Sequence, residues 1–104
     1  MNSNVQGNTQ LNWLEDLLET AQNDDAVKFI FASLHHPGQS ETWPDGNTWW
    51  VQNQVIPLLA SHEKVEQLSY GHTHAYERGA TMEGNLRIMC FGGGGSYLDR
   101  WRMY

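Results

Sequence analysis

Val27 to Leu34 is a nearly continuous apolar stretch, rich in β-branched and aromatic residues, that stops against His35-His36-Pro37. No other feature constrains the fold as much. A run of this kind suits a strand buried on both faces, which other elements must cover. Its flanks supply helices. Over residues 10–23, Leu14, Leu17, Leu18 and Ala21 fall at the i, i+3, i+4 and i+7 positions of one helical face, with Asn8 and Thr9 as expected caps. Gly38 to Gly46 reads as a polar loop. Asn47 is placed to cap a second helix reaching about Ala60, with Val51, Val55, Leu58 and Leu59 on one face. Pro57 is expected to kink that helix or displace its start. Val65 to Tyr70 reads as a short strand ending at Gly71, and Ala80–Met82 with Leu86–Phe91 flank Glu83-Gly84-Asn85 as a hairpin-like pair. The order helix, strand, helix, strand, hairpin predicts an α/β fold whose sheet finishes in an antiparallel edge.

Composition narrows the partners. The chain has 104 residues, the size of one small domain. Its twelve acidic and six basic side chains leave a net charge of −6, which argues against binding a nucleic-acid backbone. No apolar window reaches the ~18 residues of a membrane span, and the opening residues lack the basic and apolar regions of a signal peptide. Neither observation assigns a compartment. The one cysteine, Cys90, excludes an internal disulfide framework and an all-cysteine zinc site. Within its apolar strand it reads as an inert core thiol rather than a nucleophile.

Four of the five histidines stand where strands run out into loops: His35 and His36 after the first strand, His72 and His74 after the second. In open α/β sheets, sites gather at the carboxyl ends of adjacent strands. If Gly71-His72-Thr73-His74 is extended, its two imidazoles face one cavity, and Gly71 permits an unusual turn or a close backbone approach. Imidazoles from two strand ends make a metal half-site. The alternative on spacing alone is an ordinary pair of loops, with Pro37 merely ending a strand. His62, beside Glu63 and Lys64, reads as solvated. The run Gly92 to Gly95 lacks the Lys-Ser/Thr of a phosphate loop and reads as a close backbone passage or turn, although an anion-binding nest stays open.

The wider text adds a resemblance. Gly71-His72-Thr73-His74-Ala75-Tyr76-Glu77-Arg78 resembles the GHxHxYER segment of calcineurin-like metallophosphoesterases, in particular the purple acid phosphatase-like branch. Ala32 to Pro37 is similar to that superfamily's strand followed by His-x-Pro, Thr9 to Glu15 to its Gln-x-x-Trp-Leu helix start, and the glycine run after Phe91 to the one following its last core strand. These segments keep the family's order over residues 9–96. The resemblance implies that His35 and His72 bind one metal and His74 another. It places His36 as a catalytic or pocket residue beside them. Glu77 and Arg78 would be a structural charged pair fixing the loop after the ligands, and loop 38–46 with Trp43 would border the substrate. It further implies two divalent or trivalent ions (Fe, Zn or Mn) sharing a bridging Asp and activating a hydroxide for in-line attack on a phosphate ester.

The family's other blocks are missing: the Asp near the first strand, Gly-Asp-x-x-Asp or Tyr, and Gly-Asn-His. There is no Gly-Asp pair, and Gly46-Asn47 is followed by Thr48. The expectation is therefore that residues 1–104 form the C-terminal portion of a metallophosphoesterase domain, the second half of a four-layer α-β-β-α sandwich. Such a half would hold at most one metal loosely and lack full activity. It would expose an apolar inner sheet face to the missing N-terminal half or to a second copy. Two rivals stand beside it. One is a non-catalytic metal-binding or interaction module that retains the histidines. The other is a sugar-binding module, which requires Trp43, Trp49 or Trp50 to lie together on an exposed face; packing is the better reading of these three.

Overall fold

The computed structural model describes residues 1–82, 85–95 and 97. Its elements run α1 (Asn8–Gln22), β1 (Ile30–Leu34), a helical stretch ending in α2 (Ile56–Ala60), β2 (Val65–Tyr70), β3 (Tyr76–Ala80) and β4 (Arg87–Phe91). The four strands form one mixed sheet in the order β1-β2-β4-β3, with β1, β2 and β4 parallel and β3 antiparallel on the edge. This is the α/β class and the antiparallel finish that the order of apolar segments predicts. Among the described residues, no helix is long and apolar enough to cross a membrane.

Both helices cover the same face of the sheet. Leu14 and Leu18 of α1, Val51, Val55, Ile56 and Leu59 of the second helical stretch, and Leu34, Leu68, Ile88 and Cys90 of the strands form one buried cluster. Among the described residues no element covers the other face, and this corrects the reading of Val27–Leu34. The strand begins only at Ile30, and it is buried on one side: Phe31 is 69% exposed. Alternation then sends Phe31, Met89, Phe91 and Tyr76 to the open face, where all but the partly covered Met89 are at least half exposed.

Local details differ from the sequence reading for identifiable reasons. The N-cap of α1 is Gly7, with no side-chain cap, so Asn8 and Thr9 are its first residues rather than its caps. Gly7 stands at φ 150° and ψ 177°, a region open to glycine alone. Leu17 lies half exposed, because only one helical stripe reaches the sheet. The second helix is wound as a π-helix over Val51–Val55, with the Ile56 N–H donating to the Val51 carbonyl, before α2 starts at Ile56. The wide turns end at Val55, and Pro57, whose ring and missing N–H do not fit a regular α-helical interior, falls in the first turn of α2. Helix runs unbroken from Trp49 to Ala60, so Pro57 does not displace its start; the change is one of winding within the helix. The widened turns bring Ile56 into the core and leave Leu58 at its margin. The hairpin pairs β3 with β4 from Tyr76↔Phe91 to Ala80↔Arg87, so its first strand begins earlier than Ala80. Of the expected turn, Glu83 and Gly84 lie outside the described residues.

Candidate metal centre

Parallel pairing of β1 with β2 sets Leu34 opposite Tyr70 and so puts the two strand ends side by side. The loops leaving them are tied together where Gly71 N–H donates to the His35 carbonyl at 3.1 Å. Three imidazoles meet there. His35, His36 and His72 each offer a ring nitrogen within 4.8 Å of the others. His35 Nε2 lies 3.1 Å from His72 Nδ1. His74, the third predicted ligand, lies outside this group, its place taken by His36, and His62 sits elsewhere, its Nδ1 donating to the Leu58 carbonyl at the end of α2.

The loop 71–75 is not extended. Thr73 N–H donates to the Gly71 carbonyl at 2.7 Å and Ala75 N–H to the Thr73 carbonyl at 2.8 Å, which makes two successive three-residue turns centred on His72 and His74. The unusual turn that Gly71 was expected to permit has its positive φ, +63°, at His72 instead. Two neighbours on the β4 side hold this shape. The Cys90 thiol, fully buried as its apolar strand predicts, lies 3.4 Å from the Thr73 carbonyl. Gly92 runs so close that a Cβ there would stand 1.7 Å from the same oxygen. The glycine run therefore begins as a close backbone passage, one of the three readings its sequence left open.

His36 is anchored by a residue that sequence reasoning missed. Ser3, 1% exposed, accepts the His36 backbone N–H at 2.9 Å, and its Oγ lies 2.9 Å from His36 Nδ1. The two are 33 positions apart, and no motif links them. Burial, with a smaller contribution from neighbouring His35, holds the His36 pKa below its ordinary value, so the ring is neutral at neutral pH. A neutral imidazole is the form that ligates metals.

Glu77 fixes a loop, as expected, but a different one. Its carboxylate accepts from Ser40 Oγ at 2.7 Å, from the backbone N–H groups of Glu41 and Thr42 at 2.9 Å, and from Thr42 Oγ1 at 3.0 Å. Arg78, the next residue of β3, points to the opposite face of the sheet, and no ion pair joins the two. Burial works against the Glu77 charge, but the hydrogen bonds from Ser40, Thr42 and Glu41 outweigh it and hold the carboxyl below its ordinary pKa. The clasped loop carries Trp43, whose ring lies 5.0 Å from that of His72 at 32°. Trp50 is buried in the core, so the three tryptophans do not share an exposed face.

Three imidazoles suit a borderline metal such as zinc, copper, nickel or iron, and suit magnesium or calcium poorly. Among the described residues no carboxylate joins the group, so the donor set fits one ion. No protein-family model matches the chain. Among curated proteins it is similar to purple acid phosphatase 3 of Arabidopsis thaliana, 30% identical over 86 residues that make up 83% of this chain and 23% of the relative. The chain thus spans less than a quarter of that relative's length. This is a distant relationship to a purple acid phosphatase, coupled to a histidine group with the chemistry of a metal site.

Proposed function

We propose that the chain contributes the C-terminal portion of a metallophosphoesterase domain that hydrolyses phosphate esters with two metal ions. The observation that carries this reading is the 3.1 Å approach of His35 Nε2 and His72 Nδ1 at the ends of adjacent parallel strands. The distant phosphatase relative supports it. In this reading His35 and His72 hold one ion and His74 the other, both from the group Fe, Zn and Mn. The chemistry such ions supply when bound is Lewis-acid polarisation of phosphoryl oxygens. The chain's own side chains do the rest. His36, kept neutral by burial, presents a ring nitrogen that can hold a proton beside a phosphate oxygen. Trp43 covers one side of the His72 ring and limits water there.

The bridging Asp and the remaining oxygen ligands are supplied by the N-terminal half of the domain, which packs on the open sheet face around Phe31, Met89 and Phe91 and completes the four-layer sandwich. A second copy on the same face is the competing arrangement. One observation favours a second reading, a non-catalytic metal-binding module: among the described residues the group contains three imidazoles and no carboxylate.

The test is turnover of a chromogenic phosphate ester by the chain alone and after addition of a domain half carrying the three absent blocks. Metal uptake without turnover, followed by turnover on addition, is the expected result. His35→Ala and His74→Ala should each abolish that turnover. Metal uptake with no turnover in either condition supports the non-catalytic module instead.

A further inference from the structure

We infer that the outer edge of β3 is a docking edge for an extended segment of another protein, added antiparallel and carrying side chains in the order acidic, basic, acidic. The inference rests on neither the histidine group nor ester hydrolysis.

The backbone comes first. β3 is the outer strand of the sheet, and four of its five residues are exposed. Among the described residues no strand pairs with its outer side. Thr81 N–H donates to the Leu86 carbonyl at 3.0 Å, so the ladder to β4 runs through Thr81, Gly79 and Glu77. Tyr76, Arg78 and Ala80 therefore turn their backbone N–H and C=O groups outward. An edge of this kind templates a further strand unless proline, a bulge or a charge blocks it. β3 has no proline and no break in its register with β4. Its guard is Arg78. A second copy paired over the whole strand would set the two copies of Arg78 opposite each other, which is unfavourable. The occupant is therefore a different sequence, and antiparallel addition is the more stable pairing.

The two sides of the edge differ in sign. On the helix side a cleft of about 360 Å³ opens over Gly79, lined by Tyr70 and Ile88 and by the carboxylates of Glu41 and Glu77. A Cβ at Gly79 would meet nothing within 4 Å, which leaves room for an incoming side chain. The cleft wall is already fixed: Tyr70 OH donates to the Gln39 carbonyl, and Glu77 holds the N–H groups of Glu41 and Thr42. Little ordering is left for a partner to impose. On the open side Arg78 and Arg87 line a second cleft, of about 540 Å³. Arg87 stands opposite Ala80, whose small side chain leaves it within reach from the edge. Neither guanidinium is in an ion pair among the described residues, although the chain carries a net charge of −6. Residues opposite each other on paired strands project to the same face. A strand with acidic residues across from Ala80 and Arg78 and a basic one across from Gly79 meets both signs at once.

The experiment follows the fluorescence anisotropy of a labelled peptide, Thr-Glu-Lys-Glu-Thr-Val, titrated with the full chain. A second peptide, Thr-Lys-Glu-Lys-Thr-Val, inverts its three charges. The acidic chain attracts the cationic second peptide at long range, so a preference for the first reports local contacts. The first should bind saturably and about 10-fold or more tighter. N-methylation of its second Glu, whose N–H meets the Arg78 carbonyl, should weaken binding about 10-fold or more. N-methylation of its Lys, whose N–H points away, should change binding by no more than about threefold. The double variant Arg78→Glu with Glu41→Lys should reverse the preference while keeping the wild-type far-ultraviolet circular dichroism. Equal binding of the two peptides, indifference to the site of N-methylation, or no saturable binding overturns the inference. So does a wild-type dimer in sedimentation that Ala80→Pro, which removes an outward N–H, disperses.

Discussion

The two histidine loops at the carboxyl edge of the sheet deliver the same chemical group by different means. After β1, the His36 side chain is aimed by one buried hydroxyl from a distant part of the chain, Ser3. After β2, His72 and His74 are placed by backbone: two consecutive tight turns, a carbonyl beside the Cys90 thiol, and Gly92 pressed against Thr73. The first loop is held at a side chain and can be released by a small substitution. The second is over-determined, which is why it can keep a histidine at φ +63°. A histidine group built this way has one adjustable side and one rigid side.

The sharpest way to break that comparison is at Gly92. Gly92→Ala would put a Cβ 1.7 Å from the Thr73 carbonyl oxygen, so the turns must rearrange. Urea denaturation should show a loss of about 2–4 kcal/mol, or no cooperative transition at all. An unchanged midpoint would mean that the second loop is not held by backbone packing.

The Glu77 clasp comes next. Glu77→Gln should lower stability at neutral pH by about 1–2 kcal/mol, since solvent replaces part of what the carboxylate provides. The sign with pH follows from the lowered pKa. The carboxylate's stabilisation is complete above its ordinary value of 4.5 and is lost as pH falls through the lower folded value. Thermal unfolding of the wild type should therefore decline more steeply below pH 4.5 than that of Glu77→Gln. The near-ultraviolet dichroism of Trp43 should report release of the loop.

Smaller effects separate strain from contact. His72→Asn keeps a residue that tolerates positive φ, whereas His72→Val should cost about 1 kcal/mol more because a β-branched side chain resists that region. Equal stabilities would show that the turn relaxes. Ser3→Ala should cost about 0.5–1 kcal/mol. Its effect on the histidine proton resonances should be confined to His36 and its ring neighbours, with His74 unmoved.

Much of this architecture was legible in the residues, because the signals are local. The helical spacing around Leu14 and Leu18, the strand Val65–Tyr70, the burial of Cys90 and the placing of two histidine pairs at strand ends all follow from periodicity and from residues that end strands. Pro57 likewise announced its own disturbance of the second helix. Other features are set by contacts between residues far apart in sequence. That helices cover one face and leave Phe31 in the open depends on where the covering elements pack, and a strand's own composition does not encode this. Which three of four histidines meet depends on strand register and on turns whose geometry contradicts an extended His-x-His. Ser3 reaches His36 only because the chain folds back across 33 positions. The sequence by itself determined the order of elements and the kind of side chain brought to the sheet edge. Tertiary structure alone decided which histidines converge and what holds each one, since convergence is a property of packing.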